Sequence, residues 1–420
     1  MGALFINISY FTLRYESQLL SVQFVVLFAA YVFLLSKRRW FTIRELFIIG
    51  ILFRLFLLLL TPNLSEDVYR FLWDGKLWWE GLDAYAWLPS EIAKQDMLSP
   101  ALFSQLNSPQ YYSIYPPLNQ LIFSIAASFE SDNLGIVVIR LFIIVAEIGT
   151  LILLPKVLKQ YGKDPKLSIM YVLNPLVILE LSASLHFEAF VIFFLTLGIF
   201  EFEKRKTYKS ALAIGLAISF KLLPIIVLAS FFKKFAFKQY VKFVLLACLV
   251  AIVSFLPFFF SEAIRGILTS TSLYFQNFEF NASLYFIIRE IGFIIKGYNI
   301  IDTAGPVLAV ISFSSMVIFN ILVSSKMKLP ERMLWTYILY FLFATTVHPW
   351  YVLPILVLGI LSGYRFPILW TFTVFFTYWG YKVSGYQENL WIVAIEYISL
   401  IAFIVFELIE KRKNTNRLYA

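Results

Sequence analysis

Long apolar runs separated by short polar breaks make up most of this chain. They lie at 18–35, 43–61, 116–130, 134–155, 167–185, 187–202, 210–231, 242–260, 304–324, 333–347, 351–363, 366–381 and 390–409. A helix needs about 20 apolar residues to cross a bilayer, so the shorter runs predict tilted, broken or re-entrant helices. The pattern predicts an all-α, polytopic transmembrane bundle of about 11–13 membrane helices. We expect residues 1–420 to form a single transmembrane domain.

Composition agrees with a membrane protein. The chain is 60% hydrophobic and 15% charged, whereas soluble domains are about 45–50% apolar. The net charge of +9 comes from basic clusters between apolar runs, which is typical of membrane topology rather than of nucleic-acid binding. Cys248 is the single cysteine, so the sequence excludes disulfides and cysteine metal sites.

The basic clusters predict which side of the membrane each loop faces. They lie at 37–44, 156–166, 204–209, 233–242, 326–332 and 411–417, and we assign them to the cytoplasm. The first outer loop, 62–115, and the second outer loop, 261–300, then face outside. In the middle of the chain, the basic loops all fall on the cytoplasmic side only if segments 116–130 and 210–231 do not cross the membrane fully. That assignment puts His186 and Glu188 on the outer side.

The strongest candidate chemistry lies at the start of the first outer loop, in the stretch SEDVYRFLWDGKLWWEGLDAY. Asp67, Arg70 and Asp74 have the spacing i, i+3 and i+7, which puts them on one face of a predicted helix. Asp67, with Glu66 beside it, is the candidate general base. Arg70 is a candidate cation for orienting a substrate or binding phosphate. Asp74 is a candidate for supporting Asp67 or Arg70. The alternative is a solvated helix start, with a turn at Asp74-Gly75.

Three further places carry candidate substrate-binding residues. His348 and Tyr351 belong to the sequence HPWY at the outer end of an apolar run, where a histidine can bind phosphate near neutral pH. His186 and Glu188 lie two residues apart between apolar runs. Lys221 lies inside an apolar run, and charges within a membrane are candidates for function.

The alternatives for these places remain open. HPWY also suits an interfacial aromatic belt, and His186 with Glu188 also suits a plain polar turn. Lys221 also suits snorkelling, or pairing with Glu147 or Glu180. A further set of embedded charges predicts mostly interhelical ion pairs: Arg54, Arg140, Glu147, Glu180 and Glu396.

Taken together, these motifs resemble the GT-C superfamily of integral-membrane glycosyltransferases, and especially the bacterial polyprenyl-phosphate-mannose-dependent mannosyltransferases. The resemblance covers roughly residues 46–354. It rests on the stretch around Asp67, then IYPPLNQLIF, LNPLVILELSASLHFEAF, FKLLPIIVL, FNASLY and HPWYVLP, in the family's order. It implies a general base at Asp67, an outer histidine at His348 and a second acidic site near Glu188. Many relatives have Asp at that second site, whereas this chain has Glu188.

The resemblance implies an inverting glycosyltransferase. The enzyme would move a hexose, expected to be mannose, from a polyprenyl-phosphate-sugar donor to a glycan or glycolipid acceptor. It implies a multi-pass protein of the bacterial inner membrane with its active site on the outer face. No cofactor is expected, no metal ligand is assigned, and a divalent metal stays open. The alternatives are a lipid-linked sugar flippase or transporter, and a polysaccharide polymerase or ligase.

Overall fold

The computed structural model is an all-α bundle, 74% helical, as the hydrophobic pattern predicts. It describes residues 1–95, 97–258, 263–276 and 278–419, so positions 261, 262 and 277 of the predicted second outer loop lie outside the described residues. The α-helices are α1 Gly2–Tyr10, α2 Ser17–Ser36, α3 Ile43–Leu55, α4 Asp67–Trp79, α5 Pro89–Ile92, α6 Pro100–Phe103, α7 Pro117–Ala127, α8 Asp132–Gln160, α9 Ile169–Val172, α10 Pro175–Val177, α11 Glu188–Glu203, α12 Thr207–Phe220, α13 Phe237–Phe255, α14 Ala263–Gln276, α15 Leu284–Lys296, α16 Ile301–Leu322, α17 Leu329–Phe343, α18 Leu353–Ser362, α19 Phe366–Thr373 and α20 Leu390–Tyr419.

Shorter elements join these helices. The 3-10 helices are Arg38–Trp40, Ala93–Gln95, Pro165–Ser168, Leu223–Phe231, Leu256–Phe258, Pro349–Val352 and Val374–Gly380, and Ile178–Ala183 forms a π-helix. The strands β1 (Tyr381–Lys382) and β2 (Gly385–Tyr386) pair antiparallel, with Tyr381 opposite Tyr386. The hairpin connects the 3-10 helix Val374–Gly380 to α20.

Several helices are long and apolar enough to cross a membrane. Within the described residues these are α2, α8, α13, α16 and the Leu390–Lys413 part of α20. A sixth span is possible if two helical stretches that meet at an angle of 56° form one crossing: Pro165–Val172 and Pro175–Ala183. The rest of the predicted membrane helices would have to be short apolar ones such as α7 and α12. The core lies where α11 packs against both α8 and α12.

Two apolar segments are broken, and the sequence predicted one of these breaks. Segment 210–231 breaks as expected: α12 ends at Phe220, Lys221 is extended, and a 3-10 helix starts at Leu223. Segment 167–185 bends at Asn174, a break that was not inferred from the sequence. Asn174 caps α10 by accepting from the backbone N–H groups of Leu176 and Val177. The following Pro175 cannot continue α9, because proline has no N–H to donate.

Gly75 decides between two alternatives that the sequence left open, a turn and a helix. It does not form a turn but lies inside α4, where a Cβ atom would come within 2.2 Å of the Phe123 carbonyl oxygen on α7. The absence of a side chain therefore lets α4 and α7 approach closely. This contact holds the helix that begins with Asp67 against the rest of the bundle.

The embedded charges pair less often with each other than the sequence predicts. Arg54 and Glu147 do form the expected ion pair, at 2.6 Å and fully buried. Arg140 instead donates to the carbonyl oxygens of Leu58, Ser182 and Ala183. The latter two lie at the end of the π-helix, where backbone carbonyls lack helical partners.

Two embedded acids also use neutral partners. Glu180 accepts from the Tyr378 hydroxyl at 3.0 Å, and Glu396 accepts from the Trp370 indole at 2.7 Å. The prediction of interhelical ion pairs was therefore wrong for Arg140, Glu180 and Glu396. The hydrogen-bond partners of these groups come from distant segments and cannot be read from local sequence.

Candidate active site

A cavity of about 490 Å³ lies where the start of α4, the break after α12 and the turn before α18 meet. Its polar part carries five of the predicted site residues: Asp67, His186, Glu188, Lys221 and Tyr351. These positions are separated by up to 284 residues in sequence, as the numbers 67 and 351 show. The structure thus brings together candidates from four separate motifs.

Asp67 is the first residue of α4, and it is half-buried in the cavity wall. Its backbone N–H donates to the Ser65 hydroxyl at 3.3 Å, and its carboxylate accepts from the Asn107 amide at 3.0 Å. Burial raises the pKa of the Asp67 carboxyl, while the Asn107 hydrogen bond and the charge of Lys221 lower it by less. A carboxylate with a raised pKa is a better proton acceptor than an ordinary surface Asp.

Glu66 does not line the cavity. Its carboxylate accepts a hydrogen bond from Arg14, whose guanidinium also lies 4.6 Å from the centre of the Tyr381 ring. Through Arg14, Glu66 therefore connects the start of α4 to the N-terminal segment and to the hairpin. This position supports anchoring of the α4 start rather than contact with a substrate.

Arg70 and Asp74 also lie outside the cavity lining. They pair with each other at 2.6 Å and are buried. Arg70 donates to the carbonyl oxygens of Ser108 and Tyr111, and Asp74 accepts from the Ser113 hydroxyl at 2.5 Å. The pair fastens the far end of the first outer loop to α4, so Arg70 is not placed to bind a phosphate in the cavity.

The two histidines of the chain lie on opposite faces of one indole. The His186 ring stacks on Trp350 with centroids 3.6 Å apart, and the His348 ring stacks on Trp350 at 4.4 Å. His186 Nε2 also lies 3.3 Å from a carboxylate oxygen of Glu180. The sequence pointed to both histidines, but not to Trp350 as the group that joins them.

His348 is buried behind this stack and does not line the cavity. Burial, together with the charge of Lys221, lowers the pKa of His348 to about 3. The ring is therefore neutral at physiological pH, and we do not expect it to bind phosphate as a cation. Its Nδ1 has no hydrogen-bond partner in the part of the chain that the structure describes.

Lys221 provides the positive charge of the cavity. Its ammonium bonds the Glu188 carboxylate and lies 4.4 Å from the centre of the Tyr351 ring. Neither Glu147 nor Glu180, the partners considered from the sequence, is its partner. Because α12 ends at Phe220, the lysine backbone is extended and the side chain reaches the cavity from the helix break.

The other half of the cavity is apolar. It is lined by residues of the 3-10 helix after Lys221, of α13 and of α16: Ile225, Ile226, Phe255, Ala309, Phe313 and Met316. Ile225 is 49% exposed and Phe313 is 66% exposed, so this half reaches the outer surface of the bundle. The cavity can therefore hold a molecule with a polar head and a long apolar tail.

Three residues near the cavity were missed by sequence reasoning. Asn107 holds Asp67, Glu180 lies beside His186, and Trp350 joins the histidines. Asn107 lies 40 positions from Asp67, and no local pattern marks it. Glu180 was noticed only as an embedded charge. Among the described residues, no group of three or more His, Cys, Asp or Glu side chains could hold a metal ion.

The fold and the site define a class: a helical membrane protein whose amphipathic cavity has an acid, Asp67, in its wall. The chain belongs to the MptA_B family, since the model of the alpha-(1->6)-mannopyranosyltransferase N-terminal domain matches residues 8–236. The matched region contains Asp67, His186, Glu188 and Lys221, but not His348 or Tyr351. A comparison with curated proteins finds no match.

Proposed function

We propose that this protein transfers a hexose from a polyprenyl-phosphate-sugar donor to a hydroxyl of a glycan or glycolipid acceptor. The family that it belongs to supports mannose as the hexose. The observation that carries the proposal is the amphipathic cavity, which has Asp67 and Lys221 at its polar end and an apolar half open to the bundle surface. A donor with one phosphate between a sugar and a long hydrocarbon chain likewise has a polar end and an apolar part.

The proposed step is a single displacement. The acceptor hydroxyl gives its proton to a carboxylate oxygen of Asp67 as the hydroxyl oxygen bonds to the anomeric carbon. The bond from that carbon to the phosphate oxygen breaks, and its electron pair stays on the polyprenyl phosphate. One displacement inverts the anomeric centre, so one base suffices. The step as proposed uses no cofactor.

Lys221 is the cation we assign to the leaving phosphate. The phosphate gains negative charge as the bond breaks. A fixed cation in a partly buried cavity stabilises this developing charge. Lys221 is held by Glu188, so binding the donor would replace or share this partner. Tyr351 and Trp350 border the same end of the cavity. The histidines cover both faces of the Trp350 ring, so Tyr351 is the aromatic residue we assign to the sugar.

The membrane placement is part of the proposal. The positive-inside assignment puts 62–115 and the Asp67 end of the cavity outside. The donor and acceptor would then meet at the outer face of a bacterial inner membrane.

A donor comparison tests the proposal. Purified protein in lipid vesicles is given radiolabelled polyprenyl-phosphate-mannose or GDP-mannose, with a crude glycolipid acceptor extract. We expect release of polyprenyl phosphate and label in the acceptor with the first donor only. Transfer from GDP-mannose alone would overturn the donor class. Movement of the labelled lipid between leaflets without transfer would support the flippase alternative instead.

A further inference from the structure

A second cavity, of about 470 Å³, lies at the end of α12 opposite to Lys221. Four cationic side chains line it: Arg205, Lys206, Lys209 and Lys242. Its lining contains no carboxylate. Several cations around one concave space favour a ligand with phosphate oxygens, because each can donate charge-assisted hydrogen bonds.

Among the described residues, most of these cations have no acidic partner. In the described ranges, Lys206 alone of the four forms an ion pair, at 3.9 Å to the Glu201 carboxylate, and Lys206 itself is half-exposed. Thr207 and Gln239 also line the cavity and can donate hydrogen bonds. The positive charge is therefore available to a ligand from outside the chain.

The floor of this cavity is apolar, and exposed apolar side chains continue along the same helix. Phe243 and Leu246 of α13 belong to the lining. Further along α13, Leu245 is 63% exposed and Leu249 is 54% exposed. Only 11% of the most apolar window of α13 is buried, against 56% for α8. A hydrocarbon chain can therefore lie against α13 directly below the basic residues.

We propose that the second cavity binds the headgroup phosphate of an anionic membrane phospholipid, with its acyl chains against α13. The apolar floor and the exposed face of α13 favour a lipid over a free phosphate ion, which would use only the cations. Basic pockets beside membrane helices are suited to such headgroups, and each cation contributes appreciably to binding. The site does not depend on the proposed transfer reaction.

Native mass spectrometry of the delipidated, full-length protein in detergent tests this site. The probes are phosphatidylglycerol, cardiolipin, phosphatidylcholine and inorganic phosphate. We expect both anionic lipids to bind in preference to phosphatidylcholine. The variant Lys209→Gln/Lys242→Gln should bind them about 25-fold more weakly, about fivefold for each lost cation. The charge-retaining variant Lys209→Arg/Lys242→Arg should keep most of the affinity.

A matched control separates this cavity from general surface charge. Lys156 and Lys159 are exposed on α8, and Lys156→Gln/Lys159→Gln should bind anionic lipid like the wild type. Equal loss in both glutamine pairs, or no loss in either, would overturn the proposal. Equal binding of phosphatidylcholine would do the same. Displacement of the lipid by millimolar inorganic phosphate would make the cavity a free-phosphate site and would also overturn the lipid assignment.

Discussion

Two opposing effects set the proton affinity of Asp67. The cavity walls withdraw the carboxylate from water and raise its pKa above the ordinary value of 3.8, while Asn107 and Lys221 favour the charged form. The net direction is upward, which suits a general base.

The first prediction at this scale concerns pH. A base works when ionised, so activity should be present above the raised pKa of Asp67 and should fall as the pH drops through it. We expect the acid limb of the log(kcat/KM) profile to lie above pH 3.8 and to have a slope of one. Stopped assays at constant ionic strength measure it. An acid limb that stays in place in Asp67→Glu and Asn107→Ala variants would assign the titration to another group.

Asn107 is a positioning residue in this account. Asn107→Ala removes a hydrogen bond that favours ionised Asp67, so the pKa should rise further and the acid limb should shift upward, by up to about one pH unit. We also expect kcat to fall several-fold because the carboxylate loses its orientation. Asn133→Ala, at an exposed position of α8, serves as the control and should leave the profile unchanged. A lower kcat without a shifted limb would contradict the positioning role.

Lys221 should act on the leaving phosphate rather than on the fold alone. Lys221→Met is expected to lower kcat/KM by about 10²-fold or more, since a charge-stabilising group is lost. Because this variant leaves Glu188 buried without its partner, Lys221→Met/Glu188→Gln provides a version with no unpaired charge. Lys221→Arg should restore part of the activity. Wild-type kinetics in the double variant would remove Lys221 from the reaction.

Sequence patterns at the residue scale pointed to the polar end of the cavity, but not to the residues that support it. Asp67, His186, Glu188, Lys221 and Tyr351 were predicted from polar residues in apolar surroundings, and all five line the cavity. Their catalytic and binding roles stay predictions. Asn107 could not be predicted as a support because it lies 40 positions from Asp67 and no local pattern marks it.

At the scale of elements, helix breaks place the cavity residues. The end of α12 at Phe220 puts Lys221 in the cavity, and the bend at Asn174 precedes the π-helix that carries Glu180. The first break was predictable from an embedded lysine followed by proline. The second was not inferred, although Asn174-Pro175 is a turn signal, because the residues on either side of it, YVL and LVIL, are apolar.

The contact between α4 and α7 gives an element-scale prediction. Gly75→Ala places a methyl group against the Phe123 carbonyl, and such overpacking costs about 1–3 kcal/mol. Alanine's helix preference offsets about 1 kcal/mol of this. We expect a lower unfolding temperature in detergent and reduced activity, because α4 carries Asp67.

Gly81→Ala provides the comparison for this variant. Its Cβ would meet nothing within 4 Å, although its φ of 72° makes any side chain costly there. Its effect therefore measures backbone strain without crowding. A Gly75→Ala protein at least as stable as the wild type would show that α4 and α7 do not need this close contact.

At the scale of the whole molecule, the bundle separates two charged regions along α12. Asp67 and Lys221 belong to the cavity at one end, and the basic second cavity lies at the other. The all-α class followed directly from the hydrophobic runs. The crossing pattern in the middle of the chain did not, because several helices are shorter than about 20 residues.

Orientation in the membrane gives a prediction at this scale. In a Cys248→Ala background, Gln105→Cys in the first outer loop should react with a membrane-impermeant maleimide on intact cells. Lys159→Cys, at the end of α8, should react only after lysis. Both positions are exposed in the structure, so access depends on the side of the membrane. The reverse labelling pattern would place the Asp67 end of the cavity inside.

The most direct test of the central claim is a single-turnover assay with polyprenyl-phosphate-mannose, comparing wild type, Asp67→Asn and Asp302→Asn. Asp302 is an exposed acid in the first turn of α16 and serves as the control. We expect wild type and Asp302→Asn to release polyprenyl phosphate and label the acceptor at similar rates. Asp67→Asn should be slower by about 10²–10⁴-fold while still binding the donor. Transfer by Asp67→Asn at the wild-type rate would contradict the assignment of the base and the role of this cavity in the reaction.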